Sequence, residues 1–102
     1  MPTSNYEDFL PEELRDPDFA SGYLSQCFEL GMEEFLVALK DVVDAHGGVG
    51  SLSQATSLNR ESLYTLLSEQ GNPRLSSLGA ILNVLGIKLQ FGPKDSEEKE
   101  AA

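Results

Sequence analysis

Five polar side chains in the middle of the chain share the spacing of one helix face, and their types suit hydrogen bonding to the edges of nucleic-acid bases. With the leucines of this segment turned inward, the outward residues are Arg60, Glu61, Tyr64, Thr65 and Ser68. An arginine can bond guanine through two parallel hydrogen bonds, and a threonine can contact a base or a thymine methyl group. Arg60 lies in the first turn, the part of a recognition helix that reaches the bases.

Two of these side chains allow more than one interpretation. Glu61 can accept a hydrogen bond from cytosine, or it can repel phosphate. Tyr64 suits a contact with a base and a contact with a second subunit equally well. Hydroxyl groups such as those of Ser51, Ser62 and Ser76 can replace part of the phosphate contacts that lysine and arginine usually make. The candidate DNA-contacting residues are therefore Ser51, Arg60, Glu61, Tyr64, Thr65 and Ser68.

A pair of short helices joined by a tight turn, over about residues 51–68, is the element that would position these side chains. Leu52 and Leu63 supply apolar anchors, and Asn59 is a good N-cap for the second helix. Ser53 takes the small-residue position where the helices cross, which is usually alanine. Ser57 takes the turn position, which is usually glycine, and it would be strained there if its φ had to be positive. The pattern predicts a helix-turn-helix, although the apolar spacing alone fits an ordinary small helical domain equally well.

The rest of the chain predicts a small all-α domain over residues 16–91. Helices are expected from Asp16-Pro17 to Gly31, over about 32–46 and over about 75–85, in addition to the two short ones. Ile87, Leu89 and Phe91 alternate with polar residues, which predicts one short C-terminal strand. The expected architecture is therefore a bundle of about five helices with that strand. Residues 1–15 are expected to form a flexible acidic arm, and residues 92–102 a disordered charged tail.

Charge is spread unevenly along the chain. Residues 1–48 have eleven acidic side chains against Arg15 and Lys40, whereas residues 49–91 have a net charge of +1. The tail, residues 92–102, is again acidic. Such asymmetry favours two surfaces with different partners. The plainer interpretation is that acidic faces keep a small protein soluble.

Several functional classes find no support in the sequence. Cys27 and His46 are the single cysteine and histidine, and no glycine-rich phosphate loop accompanies them, so neither an enzyme nor a metal site is indicated. Cys27 lies on an apolar stripe and is expected in the core, and His46 is expected in the last turn of a helix. No cofactor is expected. The absence of a long apolar run and of a signal-peptide pattern predicts a cytoplasmic protein without a membrane anchor.

The run LNRESLYTLLSEQGNPR over residues 58–74 resembles the family of probable addiction-module antidote proteins. The upstream FLVALKDVV over residues 35–43 is similar to it as well, and the likeness covers about residues 14–91. This resemblance implies a lambda-repressor-like helix-turn-helix fold. It also implies neutralisation of a small basic endoribonuclease toxin of the RelE/HigB type and repression of the protein's own operon. Ser53 and Ser57 depart from the common pattern.

Two other functions fit the same residues. A stand-alone phage-type transcriptional repressor would need the same DNA-reading helix and no toxin. An interaction module that has lost DNA binding would explain the scarcity of lysine and arginine, because phosphate contacts usually come from several basic residues. The gene beside this one distinguishes the antitoxin from the stand-alone repressor, since a small basic protein encoded there favours the antitoxin.

The predicted strand at Ile87, Leu89 and Phe91 has no second strand in the chain with which to pair. Pairing with the same strand of another subunit would satisfy its backbone and bury the three apolar side chains, which predicts a homodimer with two recognition helices. The strand could instead join the edge of a toxin sheet. It could also simply pack against its own helices.

Overall fold

The computed structural model describes residues 11–68 and 71–94, and within these ranges the chain forms six α-helices and no strand. The helices, in chain order, are α1 (Pro11–Arg15), α2 (Pro17–Leu30), α3 (Met32–Ala45), α4 (Gly48–Ala55), α5 (Arg60–Leu67) and α6 (Leu75–Val84). The prediction of a small helical bundle is confirmed for this part of the chain. There is one helix more than the roughly five expected, because α1 lies inside the segment predicted as an arm.

The first long helix starts and stops where the sequence predicts. Asp16 caps α2, its side chain accepting a hydrogen bond from the backbone N–H of Asp18 at 3.1 Å, and Pro17 takes the first helical position. Proline suits that position because its fixed φ is already helical and its missing N–H would have no partner there. Gly31, at φ 142°, ends α2 and is followed at once by α3.

Helix α3 forms the centre of the domain. Its residues Leu36, Ala38, Leu39 and Val42 are 0% exposed, because α1, α2, α4 and α5 all pack against it. The other helices and their flanks contribute a second set of buried side chains to the same core: Leu14, Ala20, Tyr23, Leu24, Cys27, Val49, Leu52, Leu63, Leu67, Ile81, Leu82 and Leu85. All six helices therefore contribute to one core.

The short helix α1 lies within the range predicted as an arm. Leu14 is buried in the core, and Arg15 Nη1 donates a hydrogen bond to the backbone carbonyl of Ala45 at 3.3 Å. Residues 11–15 thus dock on the domain. Residues 1–10 of the predicted arm and residues 95–102 of the predicted tail lie outside the described ranges.

The prediction of a C-terminal strand at Ile87–Phe91 is wrong in this structure, where these residues have no strand assignment. The reason is the way α6 ends. Gly86, at φ 79°, donates to the carbonyl of Asn83 at 3.1 Å, and Ile87 N–H donates to the carbonyl of Leu82 at 2.9 Å. This pair of bonds is the Schellman motif, which closes a helix with a left-handed glycine. Ile87 then packs against the core as part of that cap, while Leu89 and Phe91 are exposed.

None of the helices in the described ranges combines the length and the apolarity needed to cross a membrane.

Candidate DNA-binding surface

Side-chain hydroxyls hold the turn between α4 and α5. Thr56 Oγ1 donates to the carbonyl of Leu52 at 2.9 Å and accepts from the backbone N–H of Leu58 at 3.2 Å. Ser53 Oγ donates to the carbonyl of Leu58 at 2.9 Å. Every positive φ in the described ranges belongs to a glycine, so the strain considered for Ser57 does not arise. Hydrogen bonds from the hydroxyls of Ser53 and Thr56 stabilise this turn, which more commonly contains a glycine.

Helix α5 begins and packs as the sequence predicts. The Asn59 side chain accepts a hydrogen bond from Ser62 N–H at 2.7 Å and so caps the helix at Arg60. Leu63 is 0% exposed and Leu67 is 2% exposed. They anchor α5 in the core it shares with α3 and α4. The opposite face of α5 is consequently turned to solvent.

Four of the predicted site residues lie together on that outward face of α5. Arg60, Glu61, Tyr64 and Thr65 are all exposed, and their spacing places them on one side of a helix. Ser51 is exposed on the first turn of the neighbouring α4. Ser68 caps the C-terminus of α5, where its hydroxyl donates to the carbonyl of Thr65 at 2.8 Å. Ser68 therefore serves the end of the helix and keeps only its acceptor capacity for a ligand.

The Arg60 guanidinium rests over the first turn of α4. A β-carbon placed on Gly50 would lie 3.2 Å from Nη2 of Arg60, so the absence of a side chain at Gly50 makes room for this position. The ion pair found within the described ranges is Lys40–Asp44 at 3.1 Å, and Arg60 takes no part in it. Arg60 therefore has no carboxylate partner among the described residues and presents a free cation beside the outward face of α5.

A shallow groove runs between α5 and the start of α6. It is lined by Leu58, Glu61, Ser62, Thr65, Leu66, Asn72, Pro73, Arg74 and Ser77. Arg74, which is not among the predicted site residues, is exposed at the N-cap position of α6. The signal was present, because Arg60 and Arg74 are the two arginines in the near-neutral part of the chain. The sequence does not show that residues 72–74 lie beside α5, across the groove from Glu61 and Thr65.

The remaining candidates for chemistry have structural roles. His46 caps the C-terminus of α3, and its Nδ1 donates to the carbonyl of Val42 at 2.9 Å. Cys27 is buried in the core as expected. Burial raises the pKa of the Cys27 thiol, and the negative charges of Asp41 and Glu34 raise it further, which keeps the thiol protonated and unreactive at neutral pH. No group of potential metal ligands occurs within the described ranges.

Comparison with known proteins identifies a family. A family model described as "Probable addiction module antidote protein" matches residues 5–93, which is most of the chain. No curated protein sequence and no solved structure gives a significant match.

Proposed function

The chain belongs to the family of probable addiction module antidote proteins, and from this premise we propose that it is an antitoxin that also binds DNA. In this proposal it neutralises a cognate basic endoribonuclease toxin of the RelE/HigB type and represses its own operon in the cytoplasm. Its role is binding, without catalysis. The observation that best supports DNA binding is the exposed polar face of α5, held by the hydroxyl-bonded turn that follows α4.

The helices α4 and α5 act in this proposal as a lambda-repressor-like helix-turn-helix, with α5 in the major groove. Arg60 then lies in the first turn of the recognition helix, from which it can reach a guanine. Tyr64 and Thr65 follow on the same face. Arg74, across the shallow groove, is placed to contact a phosphate, and such contacts fix the register of a protein on the duplex without reading sequence.

Toxin binding is supported by the charge distribution. The chain has a formal net charge of −10, and α1, α2 and α3 together expose acidic side chains in each first turn. Opposite charge speeds association with a basic partner and disfavours wrong partners. The near-neutral α4–α6 part lacks this excess, so the two partners are expected on different parts of the domain.

A homodimer would present two copies of α5 to the half-sites of a palindromic operator. Leu89 and Phe91 support it, because they follow α6 as exposed apolar side chains, with Phe91 85% exposed. Packing of these two side chains against their copies across a two-fold axis would bury them. Light scattering on the purified chain at tens of micromolar tests this, and a monomer there contradicts the dimer.

The DNA-binding part is tested by titrating labelled DNA from the protein's own promoter. Arg60→Ala is expected to weaken specific binding by about 1–3 kcal/mol, or roughly 5- to 150-fold, while binding to unrelated DNA changes little. Lys94→Ala is the control, since it removes one exposed cation outside α4–α6. Equal losses of specific DNA affinity in the two variants would show that Arg60 does not contact a base.

The same titration separates the alternatives. Wild-type protein that binds no promoter DNA would point to an interaction module without DNA binding. Wild-type protein that binds the promoter would point to a stand-alone repressor if no small basic protein is encoded next to its gene, or if the chain fails to protect cells that express such a protein.

A further inference from the structure

Three large apolar side chains are exposed where α2 passes into α3. Phe28 is 56% exposed, Leu30 is 70% exposed and Met32 is 45% exposed. They lie on either side of Gly31, the single residue that separates the two helices. We call the segment from Phe28 to Glu34 the α2–α3 corner. Apolar exposure concentrated in this way is unusual on a small soluble domain and is typical of interaction sites.

The α2–α3 corner is held in a fixed shape. The backbone N–H of Gly31 donates to the carbonyl of Phe28 at 3.2 Å, and that of Phe35 donates to the carbonyl of Gly31 at 3.0 Å. The ring of Phe28 meets the ring of Phe35 edge to face, with centroids 5.3 Å apart, and Phe35 is buried in the core. The Phe28 side chain is therefore exposed, and its contact with the buried Phe35 ring also holds it in place. A preorganised aromatic side chain costs less to immobilise on binding than a mobile one.

Three carboxylates belong to the same segment as these apolar side chains. Glu29, Glu33 and Glu34 belong to the same seven residues, which include no lysine or arginine. Glu34 Oε1 lies 2.9 Å from the position that a β-carbon on Gly31 would occupy, so one carboxylate sits directly at the turn. The ion pair found within the described ranges, Lys40–Asp44, uses none of the three. The corner therefore combines exposed apolar side chains with an excess of carboxylates, and this combination is complementary to a basic partner.

We propose that the α2–α3 corner is the surface on which this protein docks its basic toxin. The inference rests on the proposed function, which supplies a partner of the required charge. The corner lies at the N-terminal end of α3, whereas α4 follows its C-terminal end. A helix of 14 residues is about 21 Å long, so toxin docking and the connection to α4 are separated by the length of α3. One chain can then bind the toxin at this corner while α5 remains directed at DNA.

Two matched pairs of variants test the corner in the full-length protein. Leu30→Ser is compared with Leu75→Ser, because Leu75 is 64% exposed at the start of α6. Glu33→Lys is compared with Glu12→Lys, because both glutamates are exposed in the first turn of a helix. The probe is the product of the open reading frame beside the gene, if that frame encodes a small basic protein, purified and titrated by calorimetry or surface plasmon resonance. Urea denaturation of each variant confirms that it is folded.

The corner variants are expected to weaken binding of that protein more than their controls do, because Leu75 lies outside the corner and Glu12 contributes only to the long-range attraction of a basic partner. Leu30→Ser should raise the Kd roughly tenfold or more. Glu33→Lys should raise it about fivefold at low salt, with a smaller effect at high salt because mobile ions screen exposed charges.

Equal Kd values for Leu30→Ser and Leu75→Ser, with intact wild-type binding, would overturn the docking surface alone. Wild-type protein without any affinity for the basic protein would instead contradict the proposed antitoxin function. A Leu30→Ser variant that loses self-association and keeps toxin binding would also overturn the inference, by assigning the corner to a second copy of the chain.

Discussion

The hydroxyl of Ser53 donates a hydrogen bond of 2.9 Å to the carbonyl oxygen of Leu58, and so ties α4 to the residue that leads into α5. Thr56 bonds the backbone on both sides of the same turn. Alanine at position 53 would fit the crossing of the helices and would leave the Leu58 carbonyl without this donor. The serine thus couples the start of α5, and with it Arg60, to the position of α4.

Ser53→Ala is expected to destabilise the domain by about 0.5 kcal/mol. The lost hydrogen bond is worth about 1 kcal/mol, and the better helix propensity of alanine returns about half of that. Urea denaturation of the two proteins measures the difference. Ser25→Ala, an exposed serine within α2, is the control and should be neutral or slightly stabilising. Midpoints shifted equally in the two variants would show that the Ser53 bond contributes nothing.

Helix positions could be read from the sequence where a local signal marks each end. Asp16-Pro17 and Gly31 bound α2, and Asn59 caps α5, as predicted. The inward face of α5 was also predictable, because Leu63, Leu66 and Leu67 follow helical spacing and Tyr64, Thr65 and Ser68 fall on the other side; Leu63 and Leu67 are buried and Leu66 is half-buried. These features depend on neighbours within one or two turns, which is the range over which sequence patterns are informative.

Features that depend on distant contacts were not predictable from the sequence. Helix α4 begins at Gly48, three residues earlier than expected, because Val49 packs into the core and stabilises a glycine-rich first turn. The same shift places Gly50 beneath the Arg60 guanidinium. Ile87 alternates with polar residues like a strand residue, yet the cap of α6 engages its N–H. Alternating apolar and polar residues over a short segment do not show that a helix cap already uses the backbone N–H that a strand would need for pairing.

Leu63→Ala is expected to cost about 2–5 kcal/mol of the free energy of unfolding, the usual range for a core leucine. Leu63 is 0% exposed, and α5 packs against α3 and α4 around it. Chemical denaturation measures the loss. Leu66→Ala is the matched control on the same helix, where the side chain is half-buried, and it should cost clearly less. Similar losses at the two positions would show that Leu63 is not the anchor of α5.

Gly71→Ala and Gly22→Ala are expected to change stability in opposite directions. A β-carbon on Gly71 would collide with the backbone carbonyl of Leu66, and the end of α5 cannot move away without losing its packing. We expect a loss of roughly 1–3 kcal/mol. Gly22 is exposed within α2 and a β-carbon there would meet no atom within 4 Å, so alanine should stabilise the helix by up to about 1 kcal/mol. Thermal denaturation of both variants measures the two changes in stability. A Gly71→Ala protein as stable as the wild type would contradict the close approach of Gly71 to the Leu66 carbonyl.

Cys27 gives the stability of the domain a dependence on alkaline pH. Burial raises the pKa of its thiol above the ordinary value of 9.0, and Asp41 and Glu34 raise it further. Below pH 9.0 the thiol is protonated in both the folded and the unfolded chain, and its contribution to stability is complete. As the pH rises past 9.0, the unfolded chain loses the proton first, so the free energy of unfolding falls until the pH passes the folded pKa. Urea denaturation at pH 7 and at about pH 10 should therefore show a larger fall for the wild type than for Cys27→Ala. Because the tyrosines and lysines titrate in both proteins, the comparison isolates the thiol, and parallel falls would contradict the raised pKa.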